Sequence, residues 1–238
     1  MKGLNDLKVK IFLDSSDKAD MLEMYPKPYI KGFTTNPSLM RKAGVSDYRA
    51  FAGEMLRAIP DRPISFEVFA DTFEEMERQA RQIAGWGPHV YVKIPVTNTR
   101  RESSHELVGR LSRDGIKVNV TALMTLDQVR SVLPHLSDAT PSYLSLFAGR
   151  IADTGVDPVP MIAAAAQILK QAPKAELIWA SAREPLNAVQ AAAAGCHIIT
   201  LSRDILGRLN RLGRDLNELS LDTVKTFHED AGHAGYEL

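Results

Sequence analysis

Short apolar runs recur along the chain. Each is followed by a polar turn and then by a longer stretch in which apolar residues return every three or four positions. The runs fall near 8–13, 29–34, 64–69, 90–96, 117–123, 143–147, 176–180 and 197–201. They predict strands, and the periodic stretches between them predict helices, among them 103–113, 125–136, 159–171 and the Ala-rich 184–194. Capping residues open several helices: Asp71-Thr72, Thr125 with Gln128 three positions on, and Asp157-Pro158. Gly115 and Gly195 stand where helix C-terminal glycines belong.

Alternating β and α units imply a parallel sheet. Eight of them in 238 residues predict an α/β fold closed as a single (β/α)8 TIM barrel. An open doubly wound sheet is the runner-up, but the turn after the first strand reads Asp14-Ser15-Ser16-Asp17 and lacks a Gly-rich fingerprint. No composition break splits the chain, so one domain over 1–238 is expected. Its C-terminal part is helical over 202–228, and 229–238 reads as a polar, partly mobile tail.

Composition adds mainly exclusions. Twenty-nine basic and 29 acidic residues cancel, so no global field draws nucleic acid or an acidic membrane. The single Cys196 cannot form an intrachain disulfide, which fits a reducing compartment, and its Ala-rich setting reads as a buried small hydrophobe. Ile11-Phe12-Leu13 is too short for a signal-peptide core, and no run approaches the ~18 apolar residues of a membrane span. A soluble, cytoplasmic protein is expected, with no nucleic-acid or membrane partner. His89, His105, His135, His197, His228 and His233 are scattered without paired metal-motif spacing, so no metal is expected. Arg203, Arg208, Arg211 and Arg214 recur at helical spacing and read as a solvated or subunit-facing helix side.

Candidate chemistry concentrates at the strand ends. Lys93 is the one charge in Val90-Tyr91-Val92-Lys93-Ile94-Pro95-Val96. Strand side chains alternate, so Tyr91, Lys93 and Pro95 face away from the valines. In a central strand, desolvation favours a neutral amine, the form that attacks a carbonyl. The alternative is a stem on apolar surface with its head in water. Strand one ends in Asp14, which reads as a helix cap or as a catalytic group. Strand two ends in Thr34-Thr35-Asn36-Pro37, which also fits an ordinary helix entry. Glu67 lies between Phe66 and Val68 and needs a partner if buried, Lys93 being one. Asn119 and Thr121 alternate with valines. Ser145, Arg150, Ser181 and Arg183 follow on strands six and seven, the last two also readable as a surface helix start. Polar groups at seven of eight strand ends fit the C-terminal face of a barrel, where such folds build their sites.

These residues carry a resemblance. Phe33-Thr34-Thr35-Asn36-Pro37-Ser38-Leu39, Val92-Lys93-Ile94-Pro95-Val96-Thr97, Val118-Asn119-Val120-Thr121, Ser145-Leu146-Phe147-Ala148-Gly149-Arg150-Ile151 and Ala180-Ser181-Ala182-Arg183 occur in order across nearly the whole chain. Together they resemble the transaldolase family, in its small-subunit bacterial branch, which is related to fructose-6-phosphate aldolase. The resemblance implies that Lys93 forms a Schiff base, that Asp14 is the acid/base, and that Glu67 and Thr121 hold a water. It further implies that Thr34, Asn36, Asn119 and Ser145 contact sugar hydroxyls, and that Arg150, Ser181 and Arg183 bind phosphate. Bidentate guanidinium recognition supports the last role, as does a helix expected to start after Ser181. No cofactor is implied. A pentamer or decamer is, with the C-terminal helical segment as contact.

The family commonly carries Pro after the strand-six Ser and Asp two positions after the Arg; here these are Leu146 and Ala152. The loop 98–104, with Arg100 and Arg101 adjacent, is unusual for the family and bears on substrate choice. The reading is therefore a transaldolase moving a dihydroxyacetone unit between sugar phosphates. Its rivals are a direct fructose-6-phosphate-type aldolase, a transaldolase for a modified ketose such as a sulfonated sugar, and a silent sugar-phosphate-binding protein. In the aldolase branch Gln and Tyr typically replace Glu67 and Phe147, which favours transfer.

Overall fold

The computed structural model describes residues 6–236. Its strands are β1 (Lys10–Asp14), β2 (Ile30–Thr34), β3 (Ile64–Glu67), β4 (Val90–Pro95), β5 (Val118–Leu123), β6 (Ser142–Leu146), β7 (Ala175–Trp179) and β8 (Ile198–Leu201). All pair in parallel in sequence order, and β8 closes on β1. The expected eight-stranded TIM barrel is thus the observed fold. Around it run α1 (Lys18–Met24), α2 (Pro37–Lys42), α3 (Tyr48–Ala58), α4 (Phe73–Ala84), α5 (His105–Arg113), α6 (Leu126–Val132), α7 (Ala148–Ala152), α8 (Val159–Leu169), α9 (Leu186–Ala193), α10 (Arg203–Arg208) and α11 (Leu216–Ala234).

Alternation builds two cores. Val90, Val92, Ile94 and Val96 point outward and pack with Met76 and Ala80 of α4 and Leu107 and Leu111 of α5. The intervening positions point inward. Phe12, Tyr91, Tyr143, Ile178 and Ile198 form a separate interior cluster, in which Tyr91 and Tyr143 stack with centroids 3.9 Å apart. Gly32 lies in register with Phe12, and a Cβ there would come within 2.6 Å of the Phe12 ring. Only glycine leaves room for that ring. Two residues further along the strands the lining turns polar: Asp14, Thr34, Glu67, Lys93, Ser145 and Thr200 face one cavity. The apolar layer is a floor and the polar layer above it is the site.

Local signals fared unevenly. Thr125 and Gln128 form the expected capping box, and Gly115 and Gly195 have φ of +80° and +74°. Thr72 caps α4 by position without a side-chain bond, and Asp71 accepts from Thr99 N–H and Oγ1 rather than from the helix. The stretch 125–136 is not one helix. α6 gives way to a 3₁₀ turn at Leu133–His135, where Pro134 offers no amide for the α ladder. α11 continues to Ala234, through positions expected in the tail, and ends on Gly235 at φ +67°; 237–238 lie outside the described residues. No residue of α11 is buried, and Leu216, Val224 and Phe227 stand exposed. Arg203, Arg208 and Arg214 pair with Glu23, Asp204 and Asp222. Among the described residues no helix is long and apolar enough to cross a membrane.

Candidate active site

Lys93 is the centre of the polar layer. Its side chain is only 7% exposed, which rules out a head snorkelling into water. Nζ donates to the Thr35 carbonyl at 2.8 Å and lies 3.1 Å from Glu67 Oε2. Strand register explains the pairing, since Glu67 aligns with Lys93 and Lys93 with Asn119 on neighbouring strands. Asn119 then links inward groups: its Nδ2 donates to Ser65 Oγ at 3.1 Å, and its Oδ1 accepts from Ser145 Oγ at 2.7 Å.

Asp14 does not cap α1; Asp17 does, accepting from Asp20 N–H. Asp14 instead faces the cavity and accepts from Thr34 Oγ1 at 2.7 Å. Burial pushes its carboxyl above the ordinary value of 3.8, and the Glu67 charge adds to this; Lys93 and the Thr34 hydroxyl pull it down. A carboxylate whose pKa is raised by burial is a stronger base than an exposed one, which suits it to take a proton from a substrate hydroxyl. Thr34 Oγ1 also meets Thr200 Oγ1 at 2.5 Å. Thr121 is buried and lines the same cavity.

The cavity has a volume of ≈ 620 Å³. Besides the strand residues it is lined by Asn36, Phe147, Arg150 and Ser181. Asn36 is the helix entry as well, since its Oδ1 caps α2 by accepting from Leu39 N–H. Arg150 stands exposed on α7, its guanidinium 5.7 Å from the Phe147 ring centroid. Arg183 does not line the cavity. It pairs in bidentate fashion with Asp153, and this contact holds the Asp153 carboxyl below its usual range. The expected helix start at Ser181 is also displaced. α9 begins only at Leu186, and the N–H groups of Arg183 and Glu184 are taken by Asn187 Oδ1. Ser181 itself has φ +63°. Its carbonyl oxygen would sit 1.6 Å from a Cβ on Gly149, so glycine at 149 is what allows α7 to dock there.

Several participants escaped the sequence reading. Thr200 follows the alternation that exposed Asn119 and Thr121 and was findable by the same rule. Tyr48 was not: it reaches from α3, accepts from Glu67 N–H at 2.8 Å and donates to Glu67 C=O at 3.0 Å, fixing the backbone that carries the carboxylate. The loop 98–104 is a pinned turn, with Asn98 Oδ1 accepting from Arg100 N–H and Glu102 N–H and Thr99 held by Asp71. None of its residues lines the cavity. The histidines are less scattered in space than in sequence, because His105 and His135 meet beside Glu106. His197 accepts from Leu177 N–H, and Cys196 is buried, its thiol pushed up to about 12 by burial.

Comparison with known proteins agrees with this architecture. Residues 11–238 match the family model for transaldolase/fructose-6-phosphate aldolase. A protein of Dehalococcoides mccartyi named "Probable transaldolase" is 34% identical over 199 residues, covering 83% of this chain and 88% of that protein. One of a Thermoanaerobacter species, with the same name, is 33% identical over 231 residues, covering 97% and 100%. Solved structures share the fold at low identity. KGPDC from Streptococcus mutans superposes with a TM-score of 0.57 at 10% identity, covering 86% of this chain and 92% of that one. Dihydrodipicolinate synthase from Rhodopseudomonas palustris gives 0.51 at 12%, covering 97% and 82%. On the family match and the identities of its relatives, the chain belongs to the transaldolase/fructose-6-phosphate aldolase family.

Proposed function

We propose that the protein is a transaldolase that carries a dihydroxyacetone unit on Lys93 from a ketose phosphate to an aldose phosphate. The observation that carries this reading is a buried lysine amine 3.1 Å from a carboxylate in a cavity that also holds Asp14. Glu67 takes the proton that Nζ loses before attack on the C2 carbonyl. Loss of water gives a protonated imine, and the C3–C4 bond breaks with its electrons drawn into that imine. Asp14 accepts the C4 hydroxyl proton as the aldose phosphate leaves. The enamine left on Lys93 adds to an acceptor aldehyde, Asp14 returns the proton, and water releases the new ketose.

Thr121 supports the water-handling role, because its buried Oγ1 has no hydrogen-bond partner among the described residues, and a buried hydroxyl needs one. Thr34, Asn36 and Ser145 meet the sugar hydroxyls, while Arg150 and Ser181 meet the phosphate; Asn119, expected among the sugar contacts, is fully buried behind the cavity lining and acts by holding Ser145. Arg183 joins them on release from Asp153. Glu67 and Phe147 favour transfer over direct aldol cleavage. We also propose a cytoplasmic homo-oligomer, a pentamer or decamer, in which the uncovered apolar side of α11 is a contact.

The test is borohydride trapping with fructose 6-phosphate, followed by a donor–acceptor panel. A three-carbon adduct on Lys93 and acceptor-dependent turnover are expected. Absence of that adduct overturns the reading, and sustained dihydroxyacetone release without acceptor replaces it with the aldolase.

A further inference from the structure

Outside the barrel mouth, α5 and the 3₁₀ turn after α6 bring together two imidazoles and a carboxylate. Nδ1 of His105 lies 2.7 Å from Ser103 Oγ, which leaves Nε2 as the outward ligand atom. That Nε2 is 3.7 Å from Glu106 Oε1, and His135 Nδ1 is 3.9 Å from the same oxygen. One ligand atom from each residue lies within 4.8 Å of the others. In tetrahedral coordination at 2.0–2.1 Å, ligand atoms stand about 3.3 Å apart. The two histidine–carboxylate separations exceed that spacing by about half an ångström, and half-exposed and exposed side chains can rotate to close the remainder. Gly109, one turn along α5 from His105, is part of the arrangement. A Cβ there would lie 3.1 Å from His135 Cβ and 3.2 Å from its carbonyl oxygen. A glycine inside a helix costs about 1 kcal/mol relative to alanine, and here it admits His135 against the helix.

We propose that His105, Glu106 and His135 bind one transition-metal dication of the Zn²⁺ class, with water in the fourth position. Two neutral imidazoles and one carboxylate suit Zn²⁺, whereas Mg²⁺ and Ca²⁺ select all-oxygen shells. A metal on Nε2 would leave the proton on Nδ1, which then donates to Ser103 Oγ, an outer hydrogen bond that fixes the ligating tautomer. None of the three residues lines the Lys93 cavity, so the metal takes no part in the chemistry there. It braces α5, the helix that follows the lysine strand, to the segment leading into β6.

The experiment is a calorimetric titration of Zn²⁺, and separately Mg²⁺, into the EDTA-treated full-length protein. We expect one Zn²⁺ per chain, no Mg²⁺ binding, and a Zn²⁺-dependent rise in melting temperature. His105→Ala and His135→Ala each weaken binding by roughly tenfold or more, while His228→Ala with His233→Ala on α11 leaves it unchanged. Co²⁺ gives the intense visible absorption of a four-coordinate site, and His135→Ala abolishes it. Glu106→Gln, an exposed isosteric change, keeps the fold and also weakens binding, which covers a histidine variant that fails to fold. Absence of saturable Zn²⁺ binding, or an affinity unmoved by His105→Ala, His135→Ala and Glu106→Gln, overturns the proposal.

Discussion

Two ion pairs of the protein differ sharply in burial. Lys93 and Glu67 meet with side chains 7% and 16% exposed, whereas Arg183 and Asp153 meet with 47% and 53% exposed. The contact chemistry is similar and the consequence is opposite. Removing one partner of a buried pair strands a charge and costs about 3–5 kcal/mol; an exposed pair is worth about 0.2–1 kcal/mol. The buried pair keeps a reactive amine beside a proton acceptor. In the proposed reaction the exposed pair opens and releases a guanidinium to an arriving phosphate. Burial, more than residue type, separates the chemistry from the recognition.

The largest expected effect comes from the buried side. Lys93→Met should reduce turnover to background and destabilise the fold by about 3–5 kcal/mol, because Glu67 is left unpaired. Adding Glu67→Met should restore much of the stability and none of the activity. Chemical denaturation of both proteins checks this, and a single variant as stable as wild type would break the contrast. Asp14→Asn should lower kcat by about 10²–10⁴-fold, the span for a lost acid/base.

The stability of that Asn variant should move the other way. Asp14 titrates above 3.8 in the folded protein, so between 3.8 and the raised value the native state holds the extra proton. Stability therefore falls as pH rises through that window. Asn escapes the penalty, so the variant should melt above wild type at pH 7 and match it near pH 3. Parallel melting curves at the two pH values decide it.

On the exposed side, Gly149→Ala drives a Cβ into the Ser181 carbonyl, and the rearrangement should cost about 1–3 kcal/mol. KM for a phosphorylated donor should rise more than kcat falls. The smallest effect belongs to Asp153→Asn. Stability should change by less than about 1 kcal/mol, and KM for the phosphorylated donor should drop as Arg183 is freed. A raised KM instead would show that Asp153 holds Arg183 in its working position.

The fold was legible because alternation and helical period are local. Val90, Val92, Ile94 and Val96 announced their side of the sheet, and Asn119 and Thr121 announced the other. Asp14, Glu67 and Lys93 were legible for the same reason, as charges inside apolar runs. What stayed hidden depends on distant approach. Tyr48 reads as an ordinary helix residue until α3 lies against the end of β3. Gly149 reads as one more glycine until the Ser181 backbone arrives. Arg183 reads as a free cation because nothing in the spacing reveals Asp153 thirty residues before it. His105 and His135 are equally far apart in the chain and equally silent there.

The aromatic floor closes the lower end of the barrel, with Phe12 lying over Gly32 and Tyr91 stacked on Tyr143. Every visitor must then enter and depart by a common doorway. Under the proposed exchange of one aldehyde for another, traffic through one door imposes turn-taking: the outgoing aldose clears the threshold before its replacement comes in. Intersecting patterns of substrate dependence give way to parallel ones under such a rule, and the cause would be a ring of phenyl and phenol groups that never touches the sugar.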